Sequence, residues 1–217
     1  MLLITGCGRS GTHFTSALFQ HLGLDLPHES IGRDGAASWK HIVSGTFVYL
    51  GKNREVEIDS SGFTTIIHQV RHPLKVIASM QTFSDSTWHH MAKHIPLDLN
   101  RPTVVRAMQA WVGWNGLIEA KADWRFQIEE IQQCFPELCR HAGLSPQPFP
   151  ELPVKLRDSR TDRYRPLILS DLVKADGGIA GQVEALAERY GYHDLGAFTA
   201  PDHRRGWLGA LKRVLRG

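Results

Sequence analysis

Residues 2–11 constrain this chain more than any other stretch. Four residues suited to a short buried strand, Leu2, Leu3, Ile4 and Thr5, run straight into Gly6-Cys7-Gly8-Arg9-Ser10-Gly11. A helix is expected from Ser10 on, with Phe14, Ala17, Leu18, His21 and Leu22 recurring on one face and Gly23 as its stop. A strand, a tight glycine turn and a helix, in that order, form the opening of a parallel α/β unit. The glycines let the backbone turn sharply. The amides of residues 9–13 can then point inward at the helix start, where the helix dipole favours negative charge. The segment predicts a site for a phosphate-like anion, with Ser10 and Thr12 as hydroxyl donors and Arg9 as a charge.

Further strands are expected at 24–26, broken by Pro27, at 64–70, β-branched and nearly all apolar, and at 124–128. Helices are expected from Pro73 (Val76, Ile77, Met80), over 103–122, near 129–135, near 168–175 and 179–190, and at the basic end that carries Trp207, Leu208, Leu211, Val214 and Leu215. Residues 84–102 and 145–166 read as irregular. Strands alternating with helices predict a P-loop-like three-layer α/β fold with a central, mainly parallel sheet flanked by helices. A single domain is expected over 1–217, with a nucleotide-binding core at about 1–130 and a helical C-terminal part at about 131–217. In such a sheet, ligands gather at the carboxyl ends of the strands. Three strands are expected to deliver Arg9-Ser10-Gly11-Thr12, His28-Glu29 and Arg71 to one edge.

The 6–11 loop has the Gly-x-x-x-x-Gly spacing of a P-loop, but Thr12-His13 follow where a Walker A loop would place Lys and Ser/Thr. An ordinary nucleotide kinase or NTPase therefore fits less well. Gly6-x-Gly8-x-x-Gly11 also has dinucleotide-type spacing, and Glu29 stands near the distance at which the acidic partner of such a site occurs.

Gly8-Arg9-Ser10-Gly11-Thr12 resembles the 5′-phosphosulfate loop of the sulfotransferases that use 3′-phosphoadenosine 5′-phosphosulfate (PAPS). Arg71 at a strand end, with Ser79 eight residues on, is similar to the element that binds the 3′-phosphate in that family. Trp111-x-x-Trp114-Asn115 with the 124–130 segment is similar to a helix and strand of the family, and His28-Glu29 with Gly32-Arg33-Asp34-Gly35 resembles bacterial and tyrosyl-protein-type members. Arg9 stands where many cytosolic members carry a lysine. The resemblance spans about 1–130. It implies PAPS as co-substrate without a metal, a cofactor site made of Gly8, Arg9, Ser10, Gly11, Thr12, His13, Arg71 and Ser79, and a hydroxyl-bearing acceptor such as a carbohydrate, peptide or small molecule. Arg9 and Glu29 are then the catalytic residues, Arg9 serving the leaving group and Glu29 accepting a proton. His28 is the second candidate for the base. A non-catalytic nucleotide-binding module is the alternative from another class.

Duller roles exist for several of these side chains. Glu29 could pair with Arg33, Arg71 with Asp34, and Trp88, His89 and His90 could pack in a surface loop or line an acceptor pocket. Lys155, Arg157 and Arg160 form a basic stretch that could cover a nucleotide. Net charge is +3, from 25 Lys+Arg against 22 Asp+Glu, a bias too small to imply nucleic acid. Three cysteines make no disulfide framework, no apolar run could span a bilayer, and no leader is evident. A cytoplasmic protein is expected.

Overall fold

The structure, a computed structural model, describes residues 1–49, 55–152, 164–193 and 195. Four strands form a parallel sheet: β1 (Leu2–Thr5), β2 (Gly35–Ala37), β5 (Thr65–Val70) and β6 (Trp124–Gln127), in the order β2-β1-β5-β6. β3 (Thr46–Tyr49) and β4 (Glu55–Ile58) pair antiparallel in a separate two-stranded sheet. The helices are α1 (Thr12–His21), α2 (Pro73–Met80), α3 (Asp85–Ala92), α4 (Thr103–Glu119), α5 (Ile131–His141), α6 (Leu169–Ala175) and α7 (Gly177–Arg189).

Both faces of the main sheet are covered, which explains why β1 and β5 are apolar almost throughout. Leu2, Ile4 and Ile67 face one layer, with Leu18 and Phe19 of α1 and Phe135 and Leu138 of α5. Leu3, Ile66 and Val70 face the other, with residues of α2, α4, α6 and α7. The predicted three-layer α/β fold is the one observed. His68 and Gln69 interrupt the apolar run of β5 and point to opposite layers. His68 Nε2 meets Asn115 Oδ1 of α4 at 3.0 Å, and Gln69 turns toward α1.

The second strand is not 24–26. Gly35-Ala36-Ala37 takes the place beside β1, with Leu2 opposite Gly35. A Cβ on Gly35 would stand 1.9 Å from the Leu2 carbonyl oxygen, so only glycine allows the strands to pair there. Small residues carry little strand signal, and the close approach is invisible without a partner strand. Residues 85–92, expected to be irregular, form α3, which buries Trp88 and Met91. The buried face of α1 runs through Thr12, Thr15, Ser16, Leu18 and Phe19, while His21 is exposed. The helix expected at 129–135 begins at Ile131 and continues to His141.

The order of connections sets the place for a ligand. β1 leads through α1 to β2 on one side, and β5 leads through α2–α4 to β6 on the other. The carboxyl ends of β1 and β5 therefore flank the switch point of the sheet, where an open α/β fold forms its crevice.

Candidate functional site

The 6–11 loop leaves β1 at that switch point. It closes with the Ser10 amide donating to the Cys7 carbonyl at 2.9 Å. A Cβ on Gly6 would lie 2.1 Å from the Gln69 carbonyl oxygen, so glycine brings the loop against β5. Gly11 has φ +103° and stands at the N-cap of α1, where no side chain caps the helix. The first-turn amides of α1 are thus left without a side-chain acceptor. Ser10 Oγ is buried in the same loop and has no hydrogen-bond partner among the described residues.

Arg9 is the centre of the loop and takes a left-handed conformation, φ +72°. Such a conformation costs a non-glycine residue about 1–2 kcal/mol, so neighbours must hold it. Arg71 Nη1 donates to the Arg9 carbonyl oxygen at 3.1 Å. The Arg9 guanidinium donates from Nη2 to Thr82 Oγ1 at 3.1 Å and lies over the Phe83 ring, 4.9 Å from its centroid. Thr82 Oγ1 in turn donates to the Ser79 carbonyl oxygen at 2.8 Å. Both ends of the Arg71–Ser79 element therefore converge on Arg9, from its carbonyl and from its side chain.

Gln69 supports the loop from below. Its Nε2 donates to the Ser10 carbonyl at 2.8 Å, and its Oε1 accepts from the Thr15 hydroxyl. Sequence reasoning missed this residue, although a fully buried amide in an apolar strand was the available signal.

The acidic side of the site is built differently from expectation. His28 and Glu29 do not end a strand at 24–26. They run alongside β2, with His28 bridged to Ala37 in parallel and the Glu29 amide donating to the Ala37 carbonyl at 3.2 Å. Glu29 has φ +58°. Its partner is Lys40, not Arg33: Lys40 Nζ lies 3.3 Å from Glu29 Oε2, while Arg33 pairs with Asp34 at 2.9 Å. Asp34 is thereby occupied by its own neighbour.

Thr12 Oγ1 meets His28 Nε2 at 3.2 Å, and the same nitrogen lies 3.7 Å from Glu29 Oε1. These contacts link the glycine loop to the carboxylate. His13 is exposed, with its ring edge-on to His28 at 5.2 Å. Burial pushes the His28 imidazole down to about 4, helped by His13 and Lys40, so it is neutral at physiological pH. Burial raises the Glu29 carboxyl above the usual range, and Lys40 pulls it back.

Trp39 and Phe83 stack at 6.2 Å beside Gly8, where a Cβ would stand 2.8 Å from Phe83 Cζ. Trp88 is buried against Phe83 and belongs to the core, as do Trp111 and Trp114. His90 packs edge-on against Trp39. Lys155, Arg157, Arg160 and the 207–215 stretch lie outside the described residues.

A cleft of about 370 Å³ lies elsewhere, along the outer edge of β6 between Trp124, Arg125, Gln127, Arg189 and Tyr190. None of the predicted site residues lines it. Its two arginines are already engaged by Glu119, at 3.0 Å and 2.7 Å. Among the described residues, no cluster of His, Cys, Asp or Glu could hold a metal ion, and no helix is long and apolar enough to cross a membrane.

Fold and site together define an α/β protein whose glycine loop and arginine pair meet at the switch point of a parallel sheet, with a lysine-paired carboxylate linked to the loop through Thr12 and His28. No family model, curated protein or solved structure matches the chain.

Proposed function

We propose that this protein is a sulfotransferase that moves a sulfuryl group from PAPS to a hydroxyl of a carbohydrate, peptide or small molecule. The observation that carries the reading is the buried Ser10 hydroxyl, without a hydrogen-bond partner among the described residues, in a loop whose helix lacks a side-chain cap, with Arg9 and Arg71 joined beside it. An orphaned donor, a helix start without a side-chain cap and two guanidiniums fit an anion with several oxygens.

The residues that would hold PAPS are Gly8, Arg9, Ser10, Gly11, Thr12 and His13 at its 5′ end, and Arg71 and Ser79 at its 3′-phosphate. When bound, PAPS supplies the sulfuryl group: the acceptor oxygen bonds to sulfur as the bond from sulfur to the 5′-phosphate breaks, releasing adenosine 3′,5′-bisphosphate. Arg9 and the amides at the start of α1 neutralise charge building on the leaving phosphate. Glu29 takes the acceptor's proton. His28, neutral and bonded to Thr12, is the poorer base. Catalysis of this kind rests on positioning and electrostatics. The three cysteines, Cys7, Cys134 and Cys139, are all free, in keeping with a reducing, cytoplasmic setting.

The test is turnover. Incubation with PAPS and a panel of sugar, phenol and peptide hydroxyls is expected to release adenosine 3′,5′-bisphosphate, with release abolished in Glu29→Gln while nucleotide binding persists. Binding of PAPS with no release across the panel would support the non-catalytic module, and turnover of ATP instead would support a kinase or NTPase.

A further inference from the structure

Glu29 is held asymmetrically. Lys40 Nζ lies 3.3 Å from Oε2, whereas Oε1 is buried and has no hydrogen-bond partner among the described residues. The His28 ring lies 3.7 Å from Oε1, and the Trp39 backbone and Ser38 side chain also favour the charged carboxylate. Lys40 is itself well placed. Its amide donates to Ser38 Oγ at 3.1 Å, and its ammonium lies 5.5 Å from the Trp39 ring centroid. Trp39 is anchored by the Trp114 indole, which donates to its carbonyl at 3.0 Å, and by stacking on Phe83. Phe83 carries the Arg9 guanidinium on its ring. One aromatic pair therefore sets the position of two cations, Arg9 at the glycine loop and Lys40 at the carboxylate.

We propose that Lys40 is a positioning residue for proton transfer: it clamps Oε2 of Glu29 and so fixes the carboxylate that receives the acceptor's proton. The role rests on the sulfuryl-transfer reading for its chemistry, but the clamp itself is a property of the chain. Two charges at this distance in a partly buried site interact far more strongly than in water. The charged and titratable groups facing Glu29 are Lys40 from the segment after β2, His28 from its own segment, and His13 of α1 behind His28. His13 stands next to His28 and opposes protonation of the His28 ring. Lys40 is then the cation that keeps Glu29 a carboxylate while it waits for a proton.

The clamp is tested by following the Glu29 side-chain carboxyl by carbon-13 NMR, assigned through Glu29→Gln, in the wild type, Lys40→Met and Lys40→Arg. Lys40→Met is expected to raise the Glu29 midpoint by at least about one pH unit, a tenfold change in acidity, and Lys40→Arg to restore it. In parallel, the acidic limb of the pH profile for adenosine bisphosphate release is expected to move by the same amount, with KM for PAPS little changed. An unmoved Glu29 midpoint in Lys40→Met overturns the proposal even if PAPS is turned over. A moved midpoint with an unmoved acidic limb overturns the proton-transfer role. A moved midpoint in a protein that does not turn over PAPS keeps the clamp and removes the sulfuryl-transfer reading. Because Lys40 is partly exposed, Lys40→Gln serves equally if Lys40→Met folds poorly.

Discussion

The guanidinium of Arg71 donates to the carbonyl oxygen of Arg9 across 3.1 Å. Arg71 directly follows β5, and Arg9 is the left-handed non-glycine residue of the glycine loop that follows β1. One hydrogen bond thus joins the carboxyl ends of the two central strands and holds a backbone conformation that arginine does not favour. The nucleotide-binding role proposed for Arg71 and its role as a strut for the loop are carried by the same side chain.

Arg71→Ala removes both. Loss of a half-exposed charged donor is expected to cost about 1–2 kcal/mol of stability. In a chain of this length that lowers Tm by roughly 2–8 °C, which calorimetric melting would register. Affinity for adenosine 3′,5′-bisphosphate is expected to fall at least tenfold. A variant with full affinity would remove Arg71 from the site.

Glycine positions separate into two kinds. Gly6→Ala drives a methyl to 2.1 Å from the Gln69 carbonyl and is expected to destabilise by more than about 3 kcal/mol or to prevent folding. Gly116 lies inside α4 with nothing within 4 Å of a built Cβ. Gly116→Ala is expected to stabilise by about 0.5–1 kcal/mol in urea unfolding. Equal effects at the two sites would contradict the packing of the loop on β5.

Gln69→Leu keeps the size of the side chain and removes both of its bonds, to the Ser10 carbonyl and the Thr15 hydroxyl. Two buried polar groups lose their partner, at a cost of about 2–4 kcal/mol in urea unfolding. Bisphosphate binding is expected to weaken as the loop loosens. A variant as stable as the wild type would show that these bonds contribute little.

The legibility of the chain follows the strength of its local signals. β1, the 6–11 loop, α1, β5, α2, α4 and β6 carried apolar runs, glycine spacing or a proline at a helix start, and each lies close to where those signals put it. β2 was missed because Gly35-Ala36-Ala37 earns its place through close approach to Leu2, a tertiary fact. α3 was missed because its polar surface obscures the two residues, Trp88 and Met91, that it buries. The convergence of the glycine loop with Arg71 was legible from the expectation of parallel strands, whose carboxyl ends open on one edge. The pairing of Glu29 with Lys40 was not, since it depends on a segment that doubles back beside β2.

His41 and His68 are fully buried, and burial is the chief cause that pushes both down to about 4. The unfolded chain binds their protons near pH 6.5, while the folded protein does so only near 4. Between these values the unfolded state holds more protons, so stability falls as pH drops from about 6.5 toward 4. The loss is on the order of 3 kcal/mol for each histidine. Urea midpoints measured from pH 7.5 to 4.5 are expected to fall steadily below 6.5, and less steeply in His41→Phe. A flat profile would contradict the neutral burial of these rings.

The central claim is that the glycine loop and the Arg71–Ser79 element form the two ends of one nucleotide site. Calorimetric titration of the wild type with adenosine 3′,5′-bisphosphate, 5′-AMP and ATP tests it most directly. The account predicts heat from the bisphosphate, with 5′-AMP bound at least tenfold more weakly for want of the 3′-phosphate. No heat from the bisphosphate, together with binding of ATP, would contradict it.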